Sequence, residues 1–221
     1  MDPIAHIQSD FDSKFGIPFQ SSQIDALKAS IIFEKPYRIP EAVRGLEGFS
    51  HIWLIWEFSE TKGRPFSPTV RPPRLGGNER MGVFATRSPF RPNPIGLSCV
   101  RLERIDLKDK DGPVLWISGA DLMNGTPIYD IKPYIPSDCH PEATGGFTSL
   151  RPMRRLNVHF PEEILAAIPE DKREALNAVL ALDPRPRYQD DAERVYGLPF
   201  AGLDIHFRVE GDELYVEDVK K

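Results

Sequence analysis

Side chains suited to binding chemistry gather in residues 81–98, MGVFATRSPFRPNPIGLS, where Arg87, Arg91 and Asn93 stand within seven positions. These eighteen residues hold three prolines, two glycines and no acidic residue. Pro89, Pro92 and Pro94 each fix φ and remove a backbone donor, so the stretch is stiff before anything binds. Proline lowers the entropy lost on ordering, which makes the stretch a candidate preorganised ligand cradle. It reads equally as a rigid hairpin with solvated arginines, because surface arginine is common.

Familiar catalytic templates are mostly missing. No G-x-G-x-x-G follows a strand, so the commonest dinucleotide and methyl-donor cradle is absent, and Gly76-Gly77 is too little for a phosphate loop. Cys139 and His140 are adjacent, but no second ligand pair stands at metal spacing. Neither Cys99 nor Cys139 has a recognisable nucleophile pattern around it, and no metal site is expected.

The elements that must position the stretch are short strands. An apolar run at 81–85 reads as one buried strand, and 95–105 as the strand leaving the loop. Residues 30–33, 97–105 and 114–120 also read as strands, and 39–46 as a short helical turn with Pro40 at its start. The run 51–58 is almost continuously apolar and aromatic, which fits a strand buried on both faces. His51 within it reads as a structural histidine. Residues 61–78, with four prolines and Lys62, Arg64, Arg71 and Arg74, form a loop too long to be idle in a compact domain.

Composition changes after residue 155. Residues 161–182 are helical and split at Pro169, with Leu176, Val179 and Leu180 on one face. The tail alternates at Leu203, Ile205, Phe207 and Val209, turns at Gly211-Asp212 and returns through Leu214 and Val216, a hairpin with one face buried. The expected fold is mainly β: an N-terminal β-barrel, residues 1–155, followed by a small C-terminal α+β domain, residues 156–221.

The chain has 221 residues, 16 glycines, 22 prolines and a formal net charge of −5. Two cysteines are no disulfide framework, which points to a reducing cytoplasm, and the acidic start lacks a signal-peptide layout. No apolar run approaches the ~20 residues of a membrane span. The acidic sum argues against nucleic acid, yet its distribution does not. Between 71 and 104 seven arginines meet only Glu79 and Glu103, which leaves a local basic face for phosphates.

The segment ATRSPFRPNPIGLS (85–98) closely resembles the signature of the TsaA-like, or TrmO, family of β-barrel proteins. AVRGLEGFSHIWLIWEF (42–58), TVRPPRLGG (69–77) and DLMNGTPIYDIKPYIP (121–136) resemble the same family, and LDPRPRY (182–188) resembles its C-terminal motif. The motifs span nearly the whole chain in the family's order. The resemblance implies an S-adenosylmethionine-dependent tRNA methyltransferase. Its acceptor would be N6 of threonylcarbamoyladenosine at position 37 of the anticodon loop, in threonine tRNA, and its assembly a homodimer.

Carried over by motif, the cofactor contacts fall on Pro18, Phe19 and Gln20, on Ser59 and Glu60, on Arg87 and Leu97, and on Leu122, Met123, Asn124 and Gly125. Ser59, Glu60 and Asn124 depart from the residues usual in relatives, so their side-chain roles stay open. A delocalised acceptor nitrogen would be helped by a base or a polarising group. Asp130 and Tyr134, in PIYDIKPY, are the nearest candidates by motif, although Asp130 equally serves as a structural partner of Lys132. For tRNA the resemblance and the basic face point to Arg71, Arg74, Arg91 and Asn93, and to Asp183, Arg185, Arg187 and Tyr188. Pro184 after Asp183 also reads simply as a helix stop. A non-catalytic RNA-binding barrel and a small-molecule methyltransferase remain as rival readings. The basic loop and the DPRPRY tail weigh against the second.

Overall fold

The structure, a computed structural model, describes residues 1–72, 75, 79–110, 112–149, 155–185 and 191–221. The first part of the chain forms β1 (Ala5–Gln8), β2 (Lys28–Phe33), β3 (His51–Glu57), β4 (Thr69–Val70), β5 (Met81–Gly82), β6 (Ile95–Asp106), β7 (Val114–Ser118) and β8 (Pro127–Pro133). Six of them close an antiparallel barrel in the order β1-β2-β7-β6-β3-β8, while β4 and β5 pair as a separate ribbon. Alternate residues fill the interior: Ala5 and Ile7, Ile52 and Leu54, Leu115 and Ile117 are each at most 1% exposed.

Two expectations need correction. The strand 51–57 is buried on one face, not both: Ile52, Leu54 and Trp56 point inward, while His51, Trp53 and Ile55 are half-buried. A closed barrel takes only every second side chain inside. The outer Trp53 packs on Tyr134 at 5.7 Å and donates its Nε1–H to Asp138 at 2.9 Å. The run 81–85 is not one buried strand either. After β5 the chain tightens into a 3₁₀ turn, Val83–Ala85, that buries Val83 and leaves Phe84 74% exposed. The turn at Pro40–Val43 does start on proline.

Beyond the barrel lie β9 (Asn157–His159), α1 (Glu162–Ala167), α2 (Glu170–Ala181), β10 (Tyr196–Phe200), β11 (Leu203–Glu210) and β12 (Glu213–Lys220). The strands form one sheet in the order β10-β11-β12-β9, with β9 parallel to β12. Pro169 caps α2, whose Ala175, Leu176, Val179 and Leu180 are buried against the sheet residues Leu198, Phe200, Ile205 and Phe207.

This second core is completed from the other end of the chain. Phe11, Ile24 and Leu27 are buried in it, with Phe15 and Ile17 packed against it, although they sit between barrel strands β1 and β2. Phe11 meets Phe200 edge-on at 5.5 Å. The Asp10 carbonyl accepts the Ala201 N–H at 2.8 Å, and its carboxylate takes Lys172 Nζ at 2.8 and 2.7 Å. On the barrel side, Ser9 Oγ donates to the Leu122 carbonyl at 2.9 Å, and the Ser22 N–H donates to the Gly119 carbonyl at 2.7 Å. Residues 9–27 are therefore a strap between the two bodies.

The strap turns at Gly16, which has φ +82°. A β-carbon there would stand 2.4 Å from Leu198 Cδ1, and Leu198 is fully buried. Gly16→Ala is expected to destabilise the protein by roughly 1–3 kcal/mol, since a crowded core and a left-handed backbone both penalise the methyl. Urea unfolding monitored at equilibrium measures it, and a change within 0.5 kcal/mol (the scatter of ordinary surface substitutions, roughly) contradicts the packing described.

Candidate functional site

Three pieces of irregular chain meet at one end of the barrel. The stretch between β5 and β6 supplies Arg87, Pro89, Phe90 and Arg91, and the strap supplies Ile17, Pro18, Phe19 and Gln20. The 3₁₀ turn Ser59–Thr61 after β3 supplies the third wall. They enclose a cleft of about 710 Å³, floored by Trp56, Gly96, Asp121 and Met123. Its walls are held by short-range bonds. Thr61 Oγ1 lies 3.1 Å from both the Phe58 and Pro89 carbonyls, and the Phe58 N–H donates to the Pro94 carbonyl at 2.7 Å. Arg91 reaches back to the Thr86 carbonyl at 2.7 Å and the Val83 carbonyl at 3.3 Å, bracing the proline-rich loop from inside.

Several of the cleft's polar groups are held by partners. The Arg87 guanidinium donates to Gln20 Oε1, joining the loop to the strap. Glu57 Oε2 accepts from the Tyr129 hydroxyl at 2.6 Å and from Lys62 Nζ at 3.1 Å. The hydroxyl bond holds the Glu57 carboxyl below its ordinary range, with Lys62 adding to the effect. The same bond pushes Tyr129 up to about 12. Asp121 behaves in the opposite way. Burial drives its carboxyl upward, and the Ser98 hydroxyl and the Arg87 charge only partly oppose it. Ser98 Oγ donates to Asp121 Oδ1 at 2.5 Å while accepting from Trp56 Nε1–H at 2.9 Å. Gly96 lets the Trp56 ring lie directly against the backbone, since a β-carbon there would stand 2.3 Å from Trp56 Cε2. The cleft thus offers a guanidinium, one carboxyl whose pKa is lowered by its hydrogen bonds and one whose pKa is raised by burial, between apolar walls.

The structure brings together most of the expected cofactor residues. Pro18, Phe19, Gln20, Ser59, Glu60, Arg87, Leu97 and Met123 all line the cleft. Leu122, Asn124 and Gly125 do not. Leu122 is buried in the barrel core at 1% exposure. Asn124 ties down the strap: its N–H donates to the Phe11 carbonyl at 2.7 Å, and its side chain lies against Ser9 and Asp12. Gly125 turns with φ +75° and donates its N–H to Ile7.

Asp130 and Tyr134 are not at this cleft. Asp130 pairs with Lys132 at 2.9 Å and borders a second, more apolar cavity beside Ile4, Phe33 and Tyr37. Tyr134 meets His51 edge-on at 6.2 Å and Trp53 at a tilt at 5.7 Å on the outer face of the barrel. Of the residues expected at RNA, Arg71 and Asn93 are exposed, and Arg91 is half-buried in its bracing role. Arg74, Arg187 and Tyr188 lie outside the described residues. Arg185 is 8% exposed and grips Asp183 through two bonds, 2.8 and 2.9 Å, while Asp183 adopts φ 54° at the end of α2. Its side chain staples the turn after the helix. Among the described residues no three His, Cys, Asp or Glu side chains cluster as metal ligands, and no helix is long and apolar enough to cross a membrane.

Sequence reasoning passed over Asp121, Ser98 and Glu57. A signal existed for Asp121, the one acidic residue in ISGADLMNG (117–125), where a small-residue and apolar run marks a buried stretch. Its pairing with Ser98 depends on barrel closure and has no local signature.

Comparison with known proteins fits this geometry. Residues 6–139 match the tRNA-methyltransferase O N-terminal domain, and residues 153–221 match the TrmO C-terminal domain. A tRNA (adenine(37)-N6)-methyltransferase of Eikenella corrodens is 48% identical over 173 residues, covering 77% of this chain and 97% of that protein. The one from Escherichia coli K12 is 40% identical over 215 residues, covering 93% and 91%. A crystal structure of TrmO from P. aeruginosa superposes with a TM-score of 0.80 at 35% identity, covering 99% of this chain and 95% of that one.

Arg185→Ala is expected to act first on stability, because it removes a nearly buried charged pair from the helix end. The loss should be roughly 1.5–3 kcal/mol, the range for hydrogen bonds to charged groups. Thermal unfolding of the variant checks it. An unchanged midpoint together with weakened RNA binding would make the side chain a direct contact instead.

Proposed function

The chain belongs to the tRNA-methyltransferase O family, and on that premise we propose how its cleft and its second sheet divide the work of the reaction. The enzyme methylates N6 of adenosine 37 in tRNA with S-adenosylmethionine as donor. The donor brings a methyl group on a positively charged sulfur, which is already a good leaving group, so the protein's task is positioning and exclusion of water.

The cleft suits that donor. Its volume falls in the range of small-molecule sites, and its lining combines apolar walls with a few fixed polar groups. Arg87 would take the carboxylate of the methionine part, presented by its bond to Gln20. Pro18, Phe19, Leu97 and Met123 would wall the adenine. Ser59 and Glu60, on their turn, would close the third side. The coincidence of Arg87 and Gln20 with these walls, from segments 67 residues apart, carries the assignment.

For the acceptor, we read the substrate as threonylcarbamoyladenosine in threonine tRNA, acted on in the cytoplasm by a homodimer. A basic rim supports an RNA partner: Arg71 and Asn93 are exposed, Arg64 lies 6.0 Å from the Phe90 ring centre, and Arg91 lies 5.9 Å from that of Phe84. Arginine beside an exposed aromatic suits a phosphate next to an unpaired base. The exposed Tyr37, Ile39 and Phe49 on the barrel support an assembly of two copies. In this division residues 1–155 hold the donor, and residues 156–221 steady the strap and extend the RNA surface.

The direct experiment supplies labelled S-adenosylmethionine and total tRNA from cells lacking the modification, followed by nucleoside analysis. Label is expected in N6-methylated threonylcarbamoyladenosine; label in plain N6-methyladenosine would replace the acceptor, and none in any nucleoside would refute the reading. Arg87→Ala is expected to weaken S-adenosylhomocysteine binding by roughly 10- to 100-fold, as loss of a charged contact does, without a change in unfolding midpoint. Calorimetric titration measures it, and wild-type affinity would remove Arg87 from the site.

A further inference from the structure

We propose that Asp121 is the catalytic base of this methyl transfer, taking the N6 proton of the acceptor adenosine while Ser98 and Trp56 hold its carboxylate in place. The inference rests on the N6-methyltransferase reading and holds whether or not the adenosine is threonylcarbamoylated. In either case the acceptor nitrogen shares its lone pair with the purine ring and carries a proton that must leave. The new bond joins N6 to the methyl carbon, and the electrons of the broken carbon–sulfur bond stay on sulfur. The N6–H proton passes to Asp121, whose carboxylate becomes a neutral acid and later releases the proton to solvent.

Position selects this residue first. Asp121 lies in the floor of the cleft with Arg87 and Met123, whereas Asp130 and Tyr134 lie outside it. Its Oδ1 accepts the Ser98 hydroxyl at 2.5 Å, and that hydroxyl is oriented by the Trp56 Nε1–H at 2.9 Å. Backbone N–H groups of Ser21 and of Asp121 itself add to the Ser98 bond and fix the carboxylate's orientation in the cleft floor. The other charged groups around the cleft are Lys14, Glu57, Glu60, Arg64, Arg87 and Arg91. Glu57 is disfavoured as the base because Tyr129 and Lys62 already stabilise its anion. The two carboxyls are pushed in opposite directions, Glu57 downward by Tyr129 and Lys62 and Asp121 upward by burial, which favours Asp121 as the proton acceptor. A base works best when its affinity for the proton is raised toward the working pH.

Asp121→Asn keeps the shape and can still accept from Ser98. It is expected to lower single-turnover methyl transfer by about 100-fold or more, the usual scale of general-base catalysis, with S-adenosylhomocysteine and tRNA affinities retained. A second readout needs no activity. Burial raises the Asp121 pKa in the folded state, so its stabilising contribution is full below the unfolded value of about 3.9 and is lost as pH rises through the folded one. The asparagine variant escapes that loss, so its Tm should exceed wild type at pH 8 and converge with it near pH 4. Ser98→Ala removes the donor that lowers the Asp121 pKa, so the acid limb of the pH–rate profile should move to higher pH. Turnover of Asp121→Asn within about threefold of wild type, or an unmoved limb in Ser98→Ala, overturns the assignment. So does a loss confined to S-adenosylmethionine affinity, which would make Asp121 a counter-ion for the sulfonium. Failure of the underlying reading looks different: wild type itself would transfer no label, while the Tm profiles would still report on the carboxyl.

Discussion

The strap at residues 9–27 is the constraint on which the site depends. It leaves the barrel after β1, buries Phe11, Ile24 and Leu27 in the core of the other body, and returns to the barrel as β2. Between those anchors it carries Pro18, Phe19 and Gln20 into the cleft. A loop of this kind on a barrel rim is ordinarily mobile, because it buries little apolar area. Here the area is supplied by α2 and β10, and the Asp10–Lys172 pair, only 16% and 26% exposed, fixes the entry point. The second body thus steadies one wall of the cleft, although none of its described residues lines it.

Within the cleft, environment differentiates chemically similar groups. Glu57, at the end of β3, and Asp121, in the loop after β7, face the same space. One meets a phenol and an ammonium; the other is buried, with the Ser98 hydroxyl, backbone N–H groups and the Arg87 charge only partly offsetting the burial. The first is held as an anion and the second is drawn toward neutrality, without a metal or a nucleophile being required for the difference. The stiff loop from 86 to 94 adds the cation. Its prolines remove donors, and Arg91 satisfies the carbonyls left over.

Legibility in the sequence followed the range of the interaction. The hairpin of β11 and β12 was readable because alternation and the Gly211 turn are local, and the split of α1 from α2 was written in Pro169. The barrel and the walls around Arg87, Gln20 and Leu97 were reached by family resemblance, not by periodicity. What stayed hidden was non-local. The near-continuous apolar and aromatic run 51–58 suggests a strand buried on both faces, yet the Trp53 indole N–H finds Asp138 eighty-five residues away on the outer face. Arg185 beside Tyr188 looked like an RNA contact, and its bond to Asp183 is visible only in the fold. Asp130 shared a motif with the site but stands on a strand whose register turns it elsewhere.

The strap also sets an order of events during synthesis. Phe11, Ile24 and Leu27 leave the ribosome first, but the surface that covers them includes Phe207 and Leu214, made near the end of the chain. At about 5–20 residues per second the wait is on the order of 10–40 s. Through that interval the nascent chain exposes apolar side chains that the barrel alone does not cover. Contacts of such long sequence separation close slowly. Chaperone demand should therefore fall on the unfinished amino-terminal segment, and the cleft can be assembled only after the last strand has docked.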